Sequence, residues 1–243
     1  MTTTSAEALS SPITVLLGHA GVGKTNMAIG LARQLSGAGF EVTLADLDVV
    51  NPYFRSSDYP ELLAEAGVRL IAPVLARTTL DTPSLSGELD AAIGQAAGSA
   101  ERRLVIDVGG DDDGATTIGR WAALLDAAAA RVLYVVSAYR SLTTDPAEAA
   151  ALLPDIERHA HLRADAILNA TNLGSETTMA HVRHGRAFAR ETARLLGLPV
   201  AATIVPQVAL AGGATVTEAL TDEGSDHEPL LVMPRFVRTP WDD

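Results

Sequence analysis

Gly18-His19-Ala20-Gly21-Val22-Gly23-Lys24-Thr25 sets two glycines, a lysine and a threonine at the spacing of a phosphate-binding loop. Glycines let consecutive backbone N–H groups turn inward on an anion. A helix beginning at the end of such a loop adds the positive end of its dipole. In this pattern the loop amides and Lys24 bind phosphate, and Lys24 also stabilises charge on the reacting phosphates. The Thr25 hydroxyl is a Mg2+ ligand, and Asn26 continues the candidate ligand-binding stretch. Lysine and arginine total 18, and Lys24 is the one lysine, which leaves 17 arginines. A compact ammonium fits a narrow amide-lined loop where a planar guanidinium does not.

Further candidates follow the apolar stretches. Asp46 and Asp48 lie two apart, so an extended chain puts them on one face. There they are either a carboxylate pair that positions water and metal, or capped turn residues. Asp107 closes another apolar run, with Gly110 three residues on. This is the arrangement in which an acid reaches Mg2+ and a glycine N–H meets a terminal phosphate. Asp111 to Asp113 read as a solvated turn. Asn169 offers its carboxamide to a purine edge or to an Asx turn, and Pro206-Gln207 is a further candidate wall for the base.

The elements that must position these residues alternate. Ile13–Leu17, Glu41–Leu47, Val68–Ala72, Arg103–Val108, Arg131–Ser137, Ala164–Asn169, Val200–Val205 and Leu230–Met233 read as strands. Between them, helices are expected at residues 25–36, 60–66, 85–97, 116–130, 145–161 and 176–197, with a break or offset at Pro154. ITVLL, LVIDV, VLYVV and AATIV are almost wholly apolar, as strands buried on both faces are. The expectation is an α/β, doubly wound, mostly parallel sheet flanked by helices, with ligands at the carboxyl ends of its strands. Residues 1–12 read as a disordered lead and 13–243 as a single nucleotide-binding domain.

Composition excludes several classes. The chain has 243 residues, a net charge of −12 and no cysteine. Disulfides, thiolate metal sites and iron–sulfur ligation are absent, and a general nucleic-acid-coating role is disfavoured. The six histidines show no convincing metal spacing. No signal-peptide pattern and no run of 18 apolar residues is present, so the expected location is cytoplasmic, with no membrane attachment. Three of ten aromatics, Tyr53, Phe54 and Tyr59, fall within seven residues. They form either a local packing cluster or a loop that changes with bound ligand. Arg183, Arg186, Arg190 and Arg194 form a helical stripe, either a solvated face or a contact for an acidic partner, protein or nucleic acid.

Together GHAGVGKT, ADLDVVNP, VIDVGG, ILNATN and PVAATIVPQ resemble the CobQ/CobB/MinD/ParA group of P-loop ATPases. The resemblance spans about Ile13 to Gln207. It implies ATP and Mg2+ as cofactors, slow hydrolysis, an ATP-dependent homodimer and an unidentified protein partner. By position, Lys24 and Thr25 hold phosphate and Mg2+. Asp48 positions the attacking water and serves the metal, Asp107 is the second metal acid, and Asn169 contacts adenine. One position departs: the family carries a second lysine where this chain has His19, followed by Ala20. Arg55 and Arg120 are candidates for the missing charge. An ATP-dependent ligase of the dethiobiotin-synthetase type, or a nucleotide-binding module with little turnover, are the alternatives.

Overall fold

The computed structural model describes residues 9, 11–48, 55–72, 83–110, 112–141, 143–213, 215–216 and 228–237. Eight strands form one sheet: β1 (Ile13–Leu17), β2 (Glu41–Leu47), β3 (Arg69–Ile71), β4 (Arg102–Val108), β5 (Arg131–Val136), β6 (Ala166–Asn169), β7 (Val200–Pro206) and β8 (Leu230–Met233). Their order is β3-β2-β4-β1-β5-β6-β7-β8, and every neighbouring pair is parallel. Helices α1 (Lys24–Gly37), α2 (Pro60–Glu65), α3 (Pro83–Ala97), α4 (Asp112–Gly119), α5 (Ala122–Ala127), α6 (Pro146–Ala160) and α7 (Met179–Leu196) supply the crossovers.

Side-chain alternation explains why the strands are apolar throughout. Leu16, Val105 and Leu133 pack with Met27, Ile29, Leu31 and Leu35 of α1 on one face. Ile13, Val15, Leu17 and Ile106 pack on the other with Leu89 and Ile93 of α3 and Ile118 of α4. Both faces of β1 are thus removed from water, which is the condition for a parallel sheet. From β1 the chain runs out to β2 and β3, returns to β4, then crosses to β5 and continues the other way. The reversal leaves a crevice at the carboxyl end of β1, where the loop after Leu17 lies.

Three expectations change. The helix expected over 116–130 is two helices, because the chain turns at Trp121. That ring is 4 % exposed, and its indole Nε1 donates to Asp90 Oδ1 at 2.7 Å. Gly119 permits the turn: a Cβ there would lie 3.1 Å from the His159 carbonyl oxygen. Pro154 does not break α6; it lies on the exposed side, where a missing N–H donor costs least. Part of the expected disordered lead is packed: Leu9 is buried, and its carbonyl accepts from Arg131 Nη1 at 3.0 Å. The rest of residues 1–8 and Tyr53, Phe54 and Asp111 lie outside the described residues, whereas Tyr59 packs beside the α1 face of the core.

Candidate functional site

The loop from Gly18 to Gly23 joins the carboxyl end of β1 to the start of α1. Gly18 has φ +151°, and a Cβ there would lie 2.5 Å from the Val135 carbonyl oxygen of β5. Only glycine lets the loop leave the sheet so close to its neighbour. Lys24 is 6 % exposed and folds back along the loop. Its Nζ donates to the carbonyls of Gly18 at 2.9 Å and His19 at 3.0 Å. The loop after β4 closes on the same place. A Cβ on Gly110 would fall 2.5 Å from the Ala20 backbone and 2.7 Å from Lys24 Nζ. Gly110 therefore lies against the glycine loop, with no room for a side chain.

His19 is half-buried. Burial first, and then the Lys24 charge, hold its pKa below the usual imidazole value. It is neutral at neutral pH and adds no positive charge to the loop. Arg55, one candidate for that charge, is 4 % exposed, and its N–H donates to Asp58 Oδ2 at 2.9 Å. Arg120 follows α4, toward the amino end of the strands. Its neighbour Gly119 packs on His159 to His161, where α6 ends before β6 begins. That position removes Arg120 from consideration.

The carboxylate pair differs from the expected one. Asp46 and Asp107 are register partners on β2 and β4 and share the sheet's carboxyl end. Asp48 lies beyond the end of β2, half-buried. Its N–H donates to Asp46 Oδ1 at 3.0 Å, while Ser57 N–H donates to Asp46 Oδ2 at 2.8 Å. Asp46 thus takes the capped-turn role and Asp48 stays at the rim. Asp107 Oδ2 accepts from Ser56 Oγ at 2.7 Å, and its Oδ1 is buried with no hydrogen-bond partner. Burial, then the Asp46 charge, push the Asp107 carboxyl up to about 7; hydrogen bonds from Ser56 and Thr25 and the Lys24 charge oppose this. Burial likewise raises Asp46. An orphaned carboxylate oxygen beside a threonine hydroxyl is a hard-oxygen donor set that suits Mg2+. Ser56 escaped the sequence reading because it meets Asp107 only through the fold, 51 residues away in sequence.

On the other flank, Asn169 is fully buried. Its Oδ1 accepts from Thr171 N at 3.1 Å and Thr171 Oγ1 at 2.7 Å, and its Nδ2 donates to Thr203 Oγ1 at 3.2 Å. The purine-edge expectation is corrected: the carboxamide makes the Asx turn and serves the interior. Asn172 of the same loop is the one near the glycine loop, its Nδ2 3.8 Å from where a Gly23 Cβ would stand. Pro206 ends β7 opposite Met233, at the carboxyl edge expected of a base-pocket residue.

The arginine stripe also turns inward. Arg186 is 2 % exposed, and its Nε donates to Glu228 Oε1 at 2.6 Å. Arg190 Nη2 donates to Glu228 Oε2 at 2.7 Å, and Thr203 Oγ1 donates to Oε1 at 3.1 Å. Burial pushes the Glu228 carboxyl up, but these hydrogen bonds outweigh it and hold it below the usual range. Arg194 pairs with Glu191 on the surface. The acidic partner of the two central arginines is within the chain, so the stripe does not present four guanidiniums to a nucleic acid.

Two further arginines, one over the glycine loop and one beside the loop after β6, were not singled out from the sequence. Arg140 follows β5, and its Cδ is 3.9 Å from where a Gly21 Cβ would stand. Arg235 follows β8, and its Nη1 is 3.1 Å from the Cβ position of Gly174. Asn26 places Arg235. Its Oδ1 accepts from the N–H groups of Phe236 and Val237 at 2.7 and 3.1 Å, and its Nδ2 donates to the Pro234 carbonyl at 3.3 Å. Asn26, expected at the ligand, instead latches the segment after β8 over the start of α1. The rule that chemistry follows the strands would have pointed to both arginines.

A parallel α/β sheet with a glycine loop at its reversal point, a lysine on that loop and an acid on the adjacent strand define a P-loop nucleotide-binding protein. The chain belongs to the family of the CobQ/CobB/MinD/ParA nucleotide binding domain, whose family model matches residues 13–211. A comparison with curated proteins returned no match. Among solved structures, FtsY from Mycoplasma mycoides matches at 17 % identity and TM-score 0.53, over 77 % of this chain and 57 % of its own. The signal recognition particle receptor FtsY from Elizabethkingia anophelis, in complex with GDP, matches at 17 % and 0.54, over 86 % and 62 %. The signal recognition particle 54 kDa protein from Aeropyrum pernix, in complex with GDP, matches at 18 % and 0.52, over 77 % and 40 %. The chain thus spans less than two thirds of each. At such identities the likeness is one of fold. No helix among the described residues is long and apolar enough to cross a membrane.

Proposed function

We propose that this protein is a Mg2+-dependent ATPase of slow turnover that acts in the cytoplasm as a switch, coupling its nucleotide state to homodimerisation or to binding of a protein partner. The observation that carries the reading is the convergence of Lys24, Thr25 and the unpartnered Asp107 oxygen at one end of the sheet. In this reading the loop amides from Gly18 to Gly23 and the Lys24 ammonium bind the phosphate chain. Thr25 and Asp107 hold Mg2+, with Asp48 at the rim acting through water, and the metal supplies charge neutralisation on the terminal phosphates. Asp48 also positions the attacking water, and the Gly110 N–H meets the terminal phosphate. Pro206 and the 170–172 loop enclose the base, with Asn169 holding that loop from within. Switching then follows from the Gly110 contact: the loop after β4 has no slack against Ala20, so a terminal phosphate must move it or be read by it.

Calorimetric titration of the full chain with Mg2+ and ATP or GTP tests the reading. Binding is expected for the wild type, with ATP preferred, and about a hundredfold weaker binding for Lys24→Ala. Unchanged ATP affinity in Lys24→Ala overturns it. Light scattering of Asp48→Ala should show monomer without nucleotide and dimer with ATP. A mass that does not vary with nucleotide, in the absence of a partner protein, removes the homodimer.

A further inference from the structure

One short turn of the chain touches both buried acids at the carboxyl end of the sheet. Ser56–Asp58 form a single 3-10 turn between β2 and α2. Ser56 is fully buried, and its Oγ donates to Asp107 Oδ2 at 2.7 Å. Ser57 donates through its backbone N–H to Asp46 Oδ2 at 2.8 Å. Asp46 and Asp107 are register partners on neighbouring strands, so consecutive serines meet neighbouring carboxylates. The turn is itself braced. Arg55 N–H donates to Asp58 Oδ2 at 2.9 Å, Asp58 N–H to the Arg55 carbonyl at 3.1 Å, and Tyr59 N–H to the Ser56 carbonyl at 3.2 Å. Tyr59 then packs beside the core face that α1 covers.

The two acids are held differently. Both Asp46 oxygens accept from backbone, one from Asp48 N–H at 3.0 Å and one from Ser57 N–H. Asp107 has one oxygen on the Ser56 hydroxyl, and the other, Oδ1, is buried with no hydrogen-bond partner. The last torsion of an aspartate is broad and twofold, so packing alone fixes the direction of its oxygens weakly. A donor on one oxygen removes that freedom and sets where the other points. Groups that hydrogen-bond a metal-binding carboxylate act in this way, and losing one costs about ten- to a hundredfold in metal affinity. Ser56 supplies such a donor from outside both the glycine loop and β4.

We infer that Ser56 is a positioning residue for the Mg2+ site: its hydroxyl holds Asp107 by Oδ2 so that Oδ1 is presented to the metal. This rests on the nucleotide-binding reading above. Ser56 acts through Asp107 and takes no part in binding the nucleotide itself. A serine suits the place because its hydroxyl donates to a carboxylate on a short stem, and a fully buried site beside the sheet has room for little more. Because the turn joins β2 to α2, the metal acid on β4 is tied to the segment that follows Asp48.

Calorimetric titration of the full chain with ATP, once in excess Mg2+ and once in EDTA, tests the inference. Ser56→Ala should weaken ATP binding about tenfold in Mg2+ and leave it within about twofold of wild type in EDTA. Ser56→Cys, of similar size but a weak donor, should fall between wild type and alanine in Mg2+. If Ser56→Ala fails to fold, Ser56→Cys is read in its place by the same criteria. In the Asp107→Asn background Ser56→Ala should cost less than about twofold more in Mg2+, because the hydroxyl acts through that carboxylate. An affinity in Mg2+ within about twofold of wild type in Ser56→Ala overturns the inference. So does an equal loss in Mg2+ and in EDTA, which marks a structural role, and so does a full tenfold loss in the Asp107→Asn background. Two controls separate the levels: unchanged ATP affinity in Lys24→Ala, or a wild-type affinity that Mg2+ does not alter, overturns the nucleotide reading itself. If both controls behave as expected and Ser56→Ala binds like wild type, only the role of Ser56 falls.

Discussion

The two flanks of the crevice are built on different physics. The phosphate flank rests on backbone: glycines, loop carbonyls and one lysine, all within eight consecutive residues. The other flank rests on a buried side-chain network that runs from Asn169 through Thr203 to Glu228, Arg186 and Arg190, drawing on β6, β7, α7 and the approach to β8. A backbone nest tolerates little change in shape but holds few charges of its own. A buried ionic network stands only while every member is present, because removing one partner leaves a charge in low dielectric. Damage to the first flank should therefore appear in ligand binding, and damage to the second in folding.

The largest expected effect tests the second half of that contrast. Glu228→Ala leaves the Arg186 guanidinium buried without its carboxylate and should destabilise the protein by about 3 kcal/mol or more in urea denaturation. A loss confined to nucleotide affinity, with stability intact, would erase the distinction. Next, Lys24→Ala should abolish the rise in melting temperature that Mg2+-ATP gives the wild type, a loss of about a hundredfold in affinity, while the melting temperature without nucleotide stays near wild type.

Asp107 sits between these extremes, since it belongs to the phosphate flank but is buried. Its pKa in the folded state is about 7, above the ordinary carboxylate value. The folded chain holds this proton more tightly than the unfolded one, so its contribution is fully present below the ordinary carboxylate pKa and is lost as pH rises through about 7. Asp107→Asn in metal-free protein should therefore become more stabilising between about pH 4 and pH 8, by about 2 kcal/mol, while Mg2+ binding is weakened. A stabilisation that does not vary with pH would mean that the carboxyl titrates as it does in the unfolded chain. The smallest effect belongs to the outer end of the stripe. Arg194→Ala removes an exposed pair with Glu191 and should leave the unfolding midpoint unchanged.

Legibility in the sequence divides along the same line. β2 and β8 begin and end where their apolar patterns predict, and the parallel α/β architecture follows from strands apolar on both faces. The glycine loop between β1 and α1 was legible because a turn of that kind is made by consecutive residues. Asp46 was misread because its carboxylate is taken up by the Asp48 and Ser57 N–H groups and because its register partner across the sheet is Asp107, a pairing that local spacing does not reveal. Asn169 was misread because an asparagine at a strand end looks the same whether it faces a ligand or the interior.

The sequence by itself determined the glycine loop, the helix that starts from it, the strands and their order along the chain, because each depends on residues within a few positions of one another. Only the tertiary structure decided which acids stand together and which arginines are internal. Those outcomes depend on strand register, on the pinning of the segment after β8 by Asn26, and on which charges burial leaves without a partner. None of these is a property of local spacing. Each is set when separate segments are packed against one sheet and every buried polar group must find a partner among them.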